Sequence, residues 1–187
     1  MNVGILAFQG DISEHAAVLR KLKQKPVLVR TADELAPLKK LIIPGGESTV
    51  IAAFLERTGL GKEIQKRVRS NSLSVFGTCA GAILLSKKAR GKNAPKTLGL
   101  MDAIVDRNAY GSQHDSFEGI LKVKYLSKPL SVAFIRAPVI SSVRASADVL
   151  AEYKKHPVIV RQGNVLIATC HPEVRGETQL HEYFLGM

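Results

Sequence analysis

One cysteine lies in a segment whose residue types suit nucleophilic chemistry. Gly77-Thr78-Cys79-Ala80-Gly81 has the form Gly-x-nucleophile-x-Gly and falls where an apolar strand is predicted to pass into an apolar helix. A sharp turn at such a boundary needs small neighbours, exposes the nucleophile above the sheet and places it at a helix N-terminus, which favours anions. Two interpretations of Cys79 remain open from this segment alone, a nucleophile or a small side chain buried in the core.

A histidine and a carboxylate follow a later predicted strand, at Cys170-His171-Pro172-Glu173. If the chain stays extended there, His171 and Glu173 point the same way, and the carboxylate can orient the imidazole as a general base. By itself this segment is more typical of a surface loop, but with Cys79 it predicts an acyl-transfer triad. Adjacent side chains of an extended segment point to opposite sides, so we expect Cys170 to face the core.

A third segment, Pro44-Gly45-Gly46-Glu47-Ser48-Thr49, also joins a predicted strand end to a helix. Paired glycines let a substrate approach the main chain, and their amides can face a developing oxyanion. The alternative is an ordinary loop with Ser48 as a helix cap. Phosphate binding has little support, because neither a Walker lysine nor a G-x-G-x-x-G spacing is present.

The elements that must hold these segments alternate along the first half of the chain. We predict a single α/β domain over residues 1–187, with a mostly parallel or mixed sheet and helices on both faces. Gly163-Asn164 predicts a tight hairpin turn. Predicted strands span residues 3–8, 26–30, 41–43, 73–76, 100–105, 120–123, 132–135, 149–153, 158–161 and 165–169. Predicted helices span residues 13–19 with a cap at Ser13, 31–35, the segment from 47, the segment after Cys79 that fades at Lys87-Lys88, and 177–185.

Composition excludes several classes of protein. The two cysteines among 187 residues are too few for a disulfide framework, and no C-x-x-C pair predicts zinc. No apolar run reaches the roughly 20 residues that span a bilayer, so we expect a cytoplasmic protein without membrane contact. A net charge of +11 raises the question of nucleic acid. The basic residues are scattered and aromatic residues are few, so we expect no nucleic-acid role; an acidic protein partner or solubility explains the charge better.

Together the three segments resemble the class I glutamine amidotransferases, a flavodoxin-like family in which Cys, His and Glu hydrolyse glutamine and ammonia passes to a synthase. Further segments are similar to the glutaminase subunits of pyridoxal 5'-phosphate synthase, which act in vitamin B6 biosynthesis. The resemblance spans nearly the whole chain. It rests on LAFQGD at 6–11, PGGEST at 44–49, GTCAGAILL at 77–85, VDRNAYGSQHDSFE at 105–118, FIRAP at 134–138 and HPE at 171–173.

The resemblance implies a role for particular residues. Cys79, His171 and Glu173 would form the triad. L-Glutamine would be the substrate, the synthase subunit the partner, and no cofactor or metal is expected. The implied glutamine-binding residues are Gly46, Glu47, Ser48, Arg107, Ile135 and Arg136. Amides at Gly46 and Ala80 would stabilise the oxyanion, and Gln9 would complete that site when the synthase docks.

Three features depart from the family pattern. Tyr110-Gly111-Ser112-Gln113 stands where the family usually has Phe-Gly-Arg-Gln, Cys170 directly precedes the histidine, and the chain is unusually basic. Because Ser112 stands where the family has this arginine, any contact that the arginine makes in the family is in doubt for this chain. Two other functions remain open at this point, the amidotransferase subunit of another pathway, such as imidazole glycerol phosphate synthase, and a binding protein without activity.

Overall fold

The computed structural model describes residues 1–107 and 116–187. Within these ranges the strands are β1 (Asn2–Leu6), β2 (Lys25–Val29), β3 (Lys40–Ile43), β4 (Ser74–Thr78), β5 (Ser86–Arg90), β6 (Met101–Asp106), β7 (Phe117–Leu121), β8 (Leu130–Phe134), β9 (Val139–Val143), β10 (Asp148–Tyr153), β11 (His156–Gln162) and β12 (Val165–Ala168). The helices are α1 (Ile12–Lys21), α2 (Ala32–Leu35), α3 (Ser48–Arg57), α4 (Leu60–Arg69), α5 (Ala80–Leu85) and α6 (Gln179–Leu185), with a 3₁₀ helix at Glu173–Arg175.

A seven-stranded mixed sheet forms the centre of the fold, in the order β10-β11-β12-β4-β3-β1-β2. Five neighbouring strands, from β12 to β2, run parallel, while β11 and β10 form an antiparallel edge. The predicted turn at Gly163-Asn164 joins β11 to β12. Two small sheets, β5-β6-β9 and β7-β8, accompany the central one. The predicted α/β architecture with a mixed sheet is therefore confirmed.

Hydrophobic cores lie on both faces of the central sheet, because successive strand residues point to opposite sides. In β3, Leu41 and Ile43 belong to one buried cluster and Ile42 to the other. The first cluster takes its helical residues from α2, α3, α4 and α5, and the second from α1 and α6. Helices thus cover both faces, as predicted.

The parallel strands bring the three chemical segments to one edge of the sheet. β1 leads into the loop of Gln9, β3 into Gly45 and Gly46, β4 into Cys79, and β12 towards His171. Because these four strands run parallel as neighbours, their carboxyl ends lie side by side. Ligands of open α/β sheets bind at this edge.

The structure departs from the sequence predictions at two strands: the segment after Leu85 is a strand where the end of a helix was predicted, and a later strand was missed. The helix after Cys79 ends at Leu85, and the lysine-rich segment that follows is the strand β5, not the fading end of a helix. Its backbone pairs in parallel with β6, and the Lys87 ammonium reaches the Asp102 carboxylate at 3.3 Å. Strand β9, whose alternation is masked by Ser141 and Ser142, was not predicted.

The predicted cap of the first helix is also wrong. Helix α1 begins at Ile12, after Asp11 rather than Ser13, and the Asp11 side chain makes no capping hydrogen bond. The Ser13 hydroxyl instead donates to Glu14 at 2.9 Å. Ser48 is likewise the first residue of α3, and the side chain of the preceding residue, Glu47, caps that helix. Among the described residues, the helices are too short or too polar to cross a membrane.

Candidate active site

Cys79 lies at the turn between β4 and α5 in a strained backbone conformation. Its φ of 46° and ψ of −100° fall outside the regions that L-residues favour, and its amide donates to the Ala168 carbonyl at 2.8 Å. The turn leaves no room for side chains beside it. A Cβ on Gly81 would lie 2.1 Å from the Ile43 carbonyl oxygen, and one on Gly77 would lie 2.5 Å from the Gly81 carbonyl carbon. The structure therefore has the sharp turn that the two glycines predicted.

His171 and Glu173 form a buried pair, with 2.8 Å between His171 Nδ1 and Glu173 Oε1. The predicted cause of this contact is wrong. Extended geometry does not continue to Glu173, because Pro172 is in the right-handed helical region and the 3₁₀ helix begins directly after it. The backbone of His171 pairs with that of Ala133 in β8, which fixes where the imidazole enters the site. The 3₁₀ helix then brings the Glu173 carboxylate back to Nδ1 of His171.

A second carboxylate, from Asp11, faces the same imidazole. Its Oδ2 lies 3.1 Å from His171 Nδ1, the ring nitrogen that Glu173 also contacts. Sequence analysis did not assign Asp11 to the site, although its place at the carboxyl end of a parallel strand was a usable signal. One N–H of His171 is therefore shared between a buried and a half-buried carboxylate.

The hydrogen-bond partners of His171 stabilise the positive charge that its imidazole carries once it has accepted a proton. Burial opposes the charge, but hydrogen bonds to Asp11, Cys79 and Glu173 raise the pKa of His171. Burial raises the pKa of Glu173 above its usual range, and the hydrogen bond from His171 opposes that rise. Both carboxylates point at Nδ1, so the other ring nitrogen is available to the Cys79 thiol.

A small cavity of about 140 Å³ opens beside the thiol. The Arg107 guanidinium lies at its wall and donates to the Glu47 carboxylate at 3.0 Å, while Arg136 is exposed and has a φ of 45°. All six residues implied as glutamine-binding line this cavity. The lining comprises Asp11, Gly46, Glu47, Ser48, Cys79, Ile83, Arg107, Ile135, Arg136, Pro138 and His171. Their roles towards glutamine remain predictions, as does any contact of Ser112, which lies outside the described residues.

The predicted oxyanion residues come from two loops that touch each other and from the start of α5. Gly46 has a φ of 146°, and a Cβ there would lie 3.1 Å from Gly10 Cα. The side-chain oxygen of Gln9 accepts a hydrogen bond from the Glu47 amide at 2.9 Å. Ala80 is the first residue of α5, directly after the thiol. The structure thus brings Gly46, Ala80 and Gln9 near the site, while their role as oxyanion donors stays a prediction.

Cys170 has a different environment from Cys79. It is fully buried in the cluster that contains Phe76 and Leu166. Burial raises the pKa of its thiol to about 12, so the thiol is neutral at physiological pH. The prediction that Cys170 belongs to the core is confirmed.

The same side chains could ligate a metal ion. Ligand atoms of Asp11, His171 and Glu173 lie within 4.8 Å of one another. Two carboxylates and an imidazole are a common metal-binding set. A proton on His171 Nδ1, shared between the two carboxylates, accounts for the same short contacts.

Comparison with known proteins assigns this chain to a family. A model of the SNO glutamine amidotransferase family matches residues 5–187. The chain belongs to the SNO glutamine amidotransferase family. Two curated relatives, both called pyridoxal 5'-phosphate synthase subunit PdxT, come from Fervidobacterium nodosum and Thermus thermophilus. They are 42% and 45% identical to this chain, and the alignments cover 100% and 99% of it and 97% and 96% of the relatives.

Solved structures of other proteins share the fold of this SNO family member. A crystal structure of a glutamine amidotransferase matches with a TM-score of 0.93 and 45% identity, over 98% of this chain and 97% of that one. A structure of PurLQS from Thermotoga maritima matches with a TM-score of 0.70 at 17% identity, over 99% and 97% of the two chains, and shows the shared fold alone.

Proposed function

We propose that this chain is the glutaminase subunit of a pyridoxal 5'-phosphate synthase, and that Cys79, His171 and Glu173 hydrolyse the side-chain amide of L-glutamine. The observation that carries the site assignment is the cavity beside Cys79, where a thiol at a strand-to-helix turn meets an imidazole whose far nitrogen is held by buried Glu173. Membership of the glutamine amidotransferase family and the PdxT relatives support the activity.

The reaction begins at the thiol. His171 takes the Cys79 proton, and the thiolate attacks the amide carbon of glutamine to form a tetrahedral oxyanion. Amides at Gly46 and Ala80 stabilise that charge. His171 then returns its proton to the leaving nitrogen, so ammonia departs and a thioester remains. Water, deprotonated by His171, attacks the thioester and releases glutamate and the free thiol.

Glutamine is held by charge at its amino-acid end. Burial opposes the ionised form of Glu47, but hydrogen bonds from Thr49 and the nearby charges of Arg107 and Arg136 lower its pKa, so it is a carboxylate at neutral pH. This carboxylate can accept the α-ammonium group, and the exposed guanidinium of Arg136 can bind the α-carboxylate through its forked donors. Ser48, Gly46 and Ile135 complete the wall of the cavity.

Ammonia needs an acceptor, and the partner we propose is the synthase subunit of the same enzyme. The relatives are named as subunits of that synthase. A net charge of +11 on this chain fits a partner with an acidic docking face. We also propose a cytoplasmic location, since both cysteines are free thiols.

The test compares two alanine variants. Cys79→Ala should abolish glutamate release from glutamine, measured with the synthase subunit present, whereas Cys170→Ala should retain it. A glutamine-like electrophile should label Cys79 alone in the unaltered protein. Glutamate release by Cys79→Ala would reject the triad. Stimulation by the amidotransferase partner of another pathway, and not by the pyridoxal phosphate synthase subunit, would reject the partner.

A further inference from the structure

A chain of buried polar side chains lies behind the triad and has no part in the steps above. His15 in α1, Thr78 in β4 and His181 in α6 are each 0% exposed. His15 Nδ1 lies 2.9 Å from His181 Nε2, and His15 Nε2 lies 3.1 Å from Thr78 Oγ1. Two helices on one face of the sheet, α1 and α6, and the strand β4 of the sheet itself therefore meet at the His15 imidazole.

The Nε2 side of the His15 imidazole faces the triad carboxylate and the threonine that holds the Gly45 loop. His15 Nε2 is 3.5 Å from Glu173 Oε1, the oxygen that also binds His171. Thr78 Oγ1 accepts the amide hydrogen of Gly45, at 3.1 Å, in the loop that supplies the Gly46 amide, one of the two amides predicted to stabilise the oxyanion. His15 is thus the one side chain, among the residues described, that contacts the triad carboxylate and the residue anchoring that loop.

The charges around His15 define its proton state. Burial lowers the pKa of His15 well below its usual value, and the neighbouring His181 and His171 lower it further, so the ring is neutral. Burial also lowers the pKa of His181, to about 3. The ionisable groups that face the His15 and His171 rings are His181, Cys79 and the carboxyls of Glu173 and Asp11.

The geometry favours one tautomer of the neutral His15 ring. With its proton on Nδ1, His15 would turn a lone pair towards the Glu173 carboxylate, and His181 would have to keep its own proton on Nδ1, which is buried without a hydrogen-bond partner. With the proton on Nε2, His15 donates towards Thr78 and Glu173 and accepts from His181 Nε2–H. Only the second arrangement gives every buried N–H an acceptor.

We propose that His15 is a positioning residue for the glutaminase reaction, whose Nε2–H keeps Glu173 ionised and oriented and fixes the Thr78 hydroxyl that anchors Gly45. This inference rests on the proposed triad. Glu173 requires a donor such as His15 to stay ionised, because its second oxygen, Oε2, is buried and has no hydrogen-bond partner among the described residues. An uncompensated buried carboxylate protonates, and a protonated Glu173 no longer supports a positive charge on His171.

The experiment compares three variants in the complex with the synthase subunit. His15→Leu removes the donor at similar volume, His15→Gln keeps a side-chain N–H in reach of the Nε2 position, and Leu19→Val perturbs the packing of the same helix without a polar change. We expect His15→Leu to lower kcat about 10-fold, the lower end of what a lost outer-shell partner costs, with little change in KM. The acid limb of its kcat–pH profile should move to higher pH, because Glu173 then protonates more readily.

His15→Gln should recover most of the loss, and Leu19→Val should leave both kcat and the acid limb unchanged. A His15→Leu loss without movement of the acid limb, or a glutamine variant no better than the leucine variant, would mean that His15 only fills the core, and would overturn the proposal. Glutaminase activity in Cys79→Ala would reject the proposed triad together with this inference. If Cys79→Ala is inactive and His15→Leu has normal activity, only this inference is rejected.

A measurement on the unaltered protein covers the case in which the variants fail to fold. Imidazole ¹⁵N NMR distinguishes the two nitrogens of a neutral histidine. We expect the His15 proton on Nε2 and the His181 proton also on Nε2. A His15 proton on Nδ1, or a charged His15 ring at neutral pH, would overturn the proposal without any substitution.

Discussion

The two carboxylates on His171 lead to a prediction that a triad with one acid would not make. Glu173 Oε1 and Asp11 Oδ2 lie 2.8 Å and 3.1 Å from the same Nδ1 atom. If either carboxylate can support the imidazolium, removing one charge should be tolerated far better than removing both. The perturbation is a double-mutant cycle of Asp11→Asn and Glu173→Gln, each of which keeps an acceptor oxygen and loses the charge.

The magnitude follows from burial and distance. A hydrogen bond to a charged group contributes about 1.5–3 kcal/mol, and its neutral replacement about half of that. Glu173 is buried, so Glu173→Gln should cost about 1.4 kcal/mol of transition-state stabilisation, or about 10-fold in kcat. Asp11 is 31% exposed at its side chain and its contact is longer, so Asp11→Asn should cost about 2-fold. With both charges absent the loss should exceed about 100-fold, more than the product of the two single losses.

The assay is glutamate release at saturating glutamine with the synthase subunit bound, for the unaltered protein, both single variants and the double variant. Each variant is first checked by circular dichroism for an unchanged fold. The difference between the double loss and the product of the single losses should correspond to about 1 kcal/mol of coupling. A double variant whose loss equals that product within about 2-fold would refute the idea that Asp11 and Glu173 serve one proton.

Three further predictions concern the thiols, the turn and the acid limit. At pH 8, iodoacetamide should modify Cys79 and spare Cys170, whose thiol is buried and has a pKa of about 12; mass spectrometry of a native sample with modified Cys170 would contradict this. Gly81→Ala should lower the free energy of unfolding by about 2 kcal/mol in urea titrations, because its Cβ would lie 2.1 Å from a backbone oxygen of β3. Gly186→Ala, whose Cβ meets nothing closer than 3.6 Å, is the control and should change stability little. Because burial raises the pKa of Glu173, kcat should decline as pH falls through a value above the usual 4.5, and a decline confined to lower pH would be inconsistent with that burial.

The sequence predicted the central sheet well, because its strands are clear apolar runs and several of them end beside a glycine or proline. It failed where the strands are polar. Segment Ser86–Arg90 carries Lys87, Lys88 and Arg90, so nothing in its composition separates a surface strand from the end of a helix. The pairing of β5 with β6 is a tertiary contact, and local patterning does not contain it.

The sequence singled out Cys79, His171 and Glu173, which the structure brings together, but it did not single out Asp11 and His15, which contact them. Cys79, His171 and Glu173 lie in short segments with glycine and proline markers. Asp11 and His15 lie in or beside a helix start, where an acid and a histidine on a helical face are equally typical of capping and of core packing. Their contacts with Glu173 and His171 join residues far apart in the chain, and sequence spacing alone does not give such contacts. Likewise, the His171–Glu173 contact was predicted for the wrong backbone, since Pro172 turns the chain where extension was expected.

The place of β12 has a consequence for how the protein matures. β12 lies between β11 and β4, and its final residue, Ala168, accepts the amide hydrogen of Cys79. The proposed nucleophile, Cys79, is synthesised before β12, which locks its turn, and before the proposed base, His171, because it precedes both in the sequence. Because non-local strand pairing forms late, a nascent chain carries a thiol with no base to activate it. Until β12 is inserted between β11 and β4, Cys79 lacks both the hydrogen bond that holds its turn and the proposed general base that follows this strand, so glutamine hydrolysis by the proposed triad requires the insertion of β12.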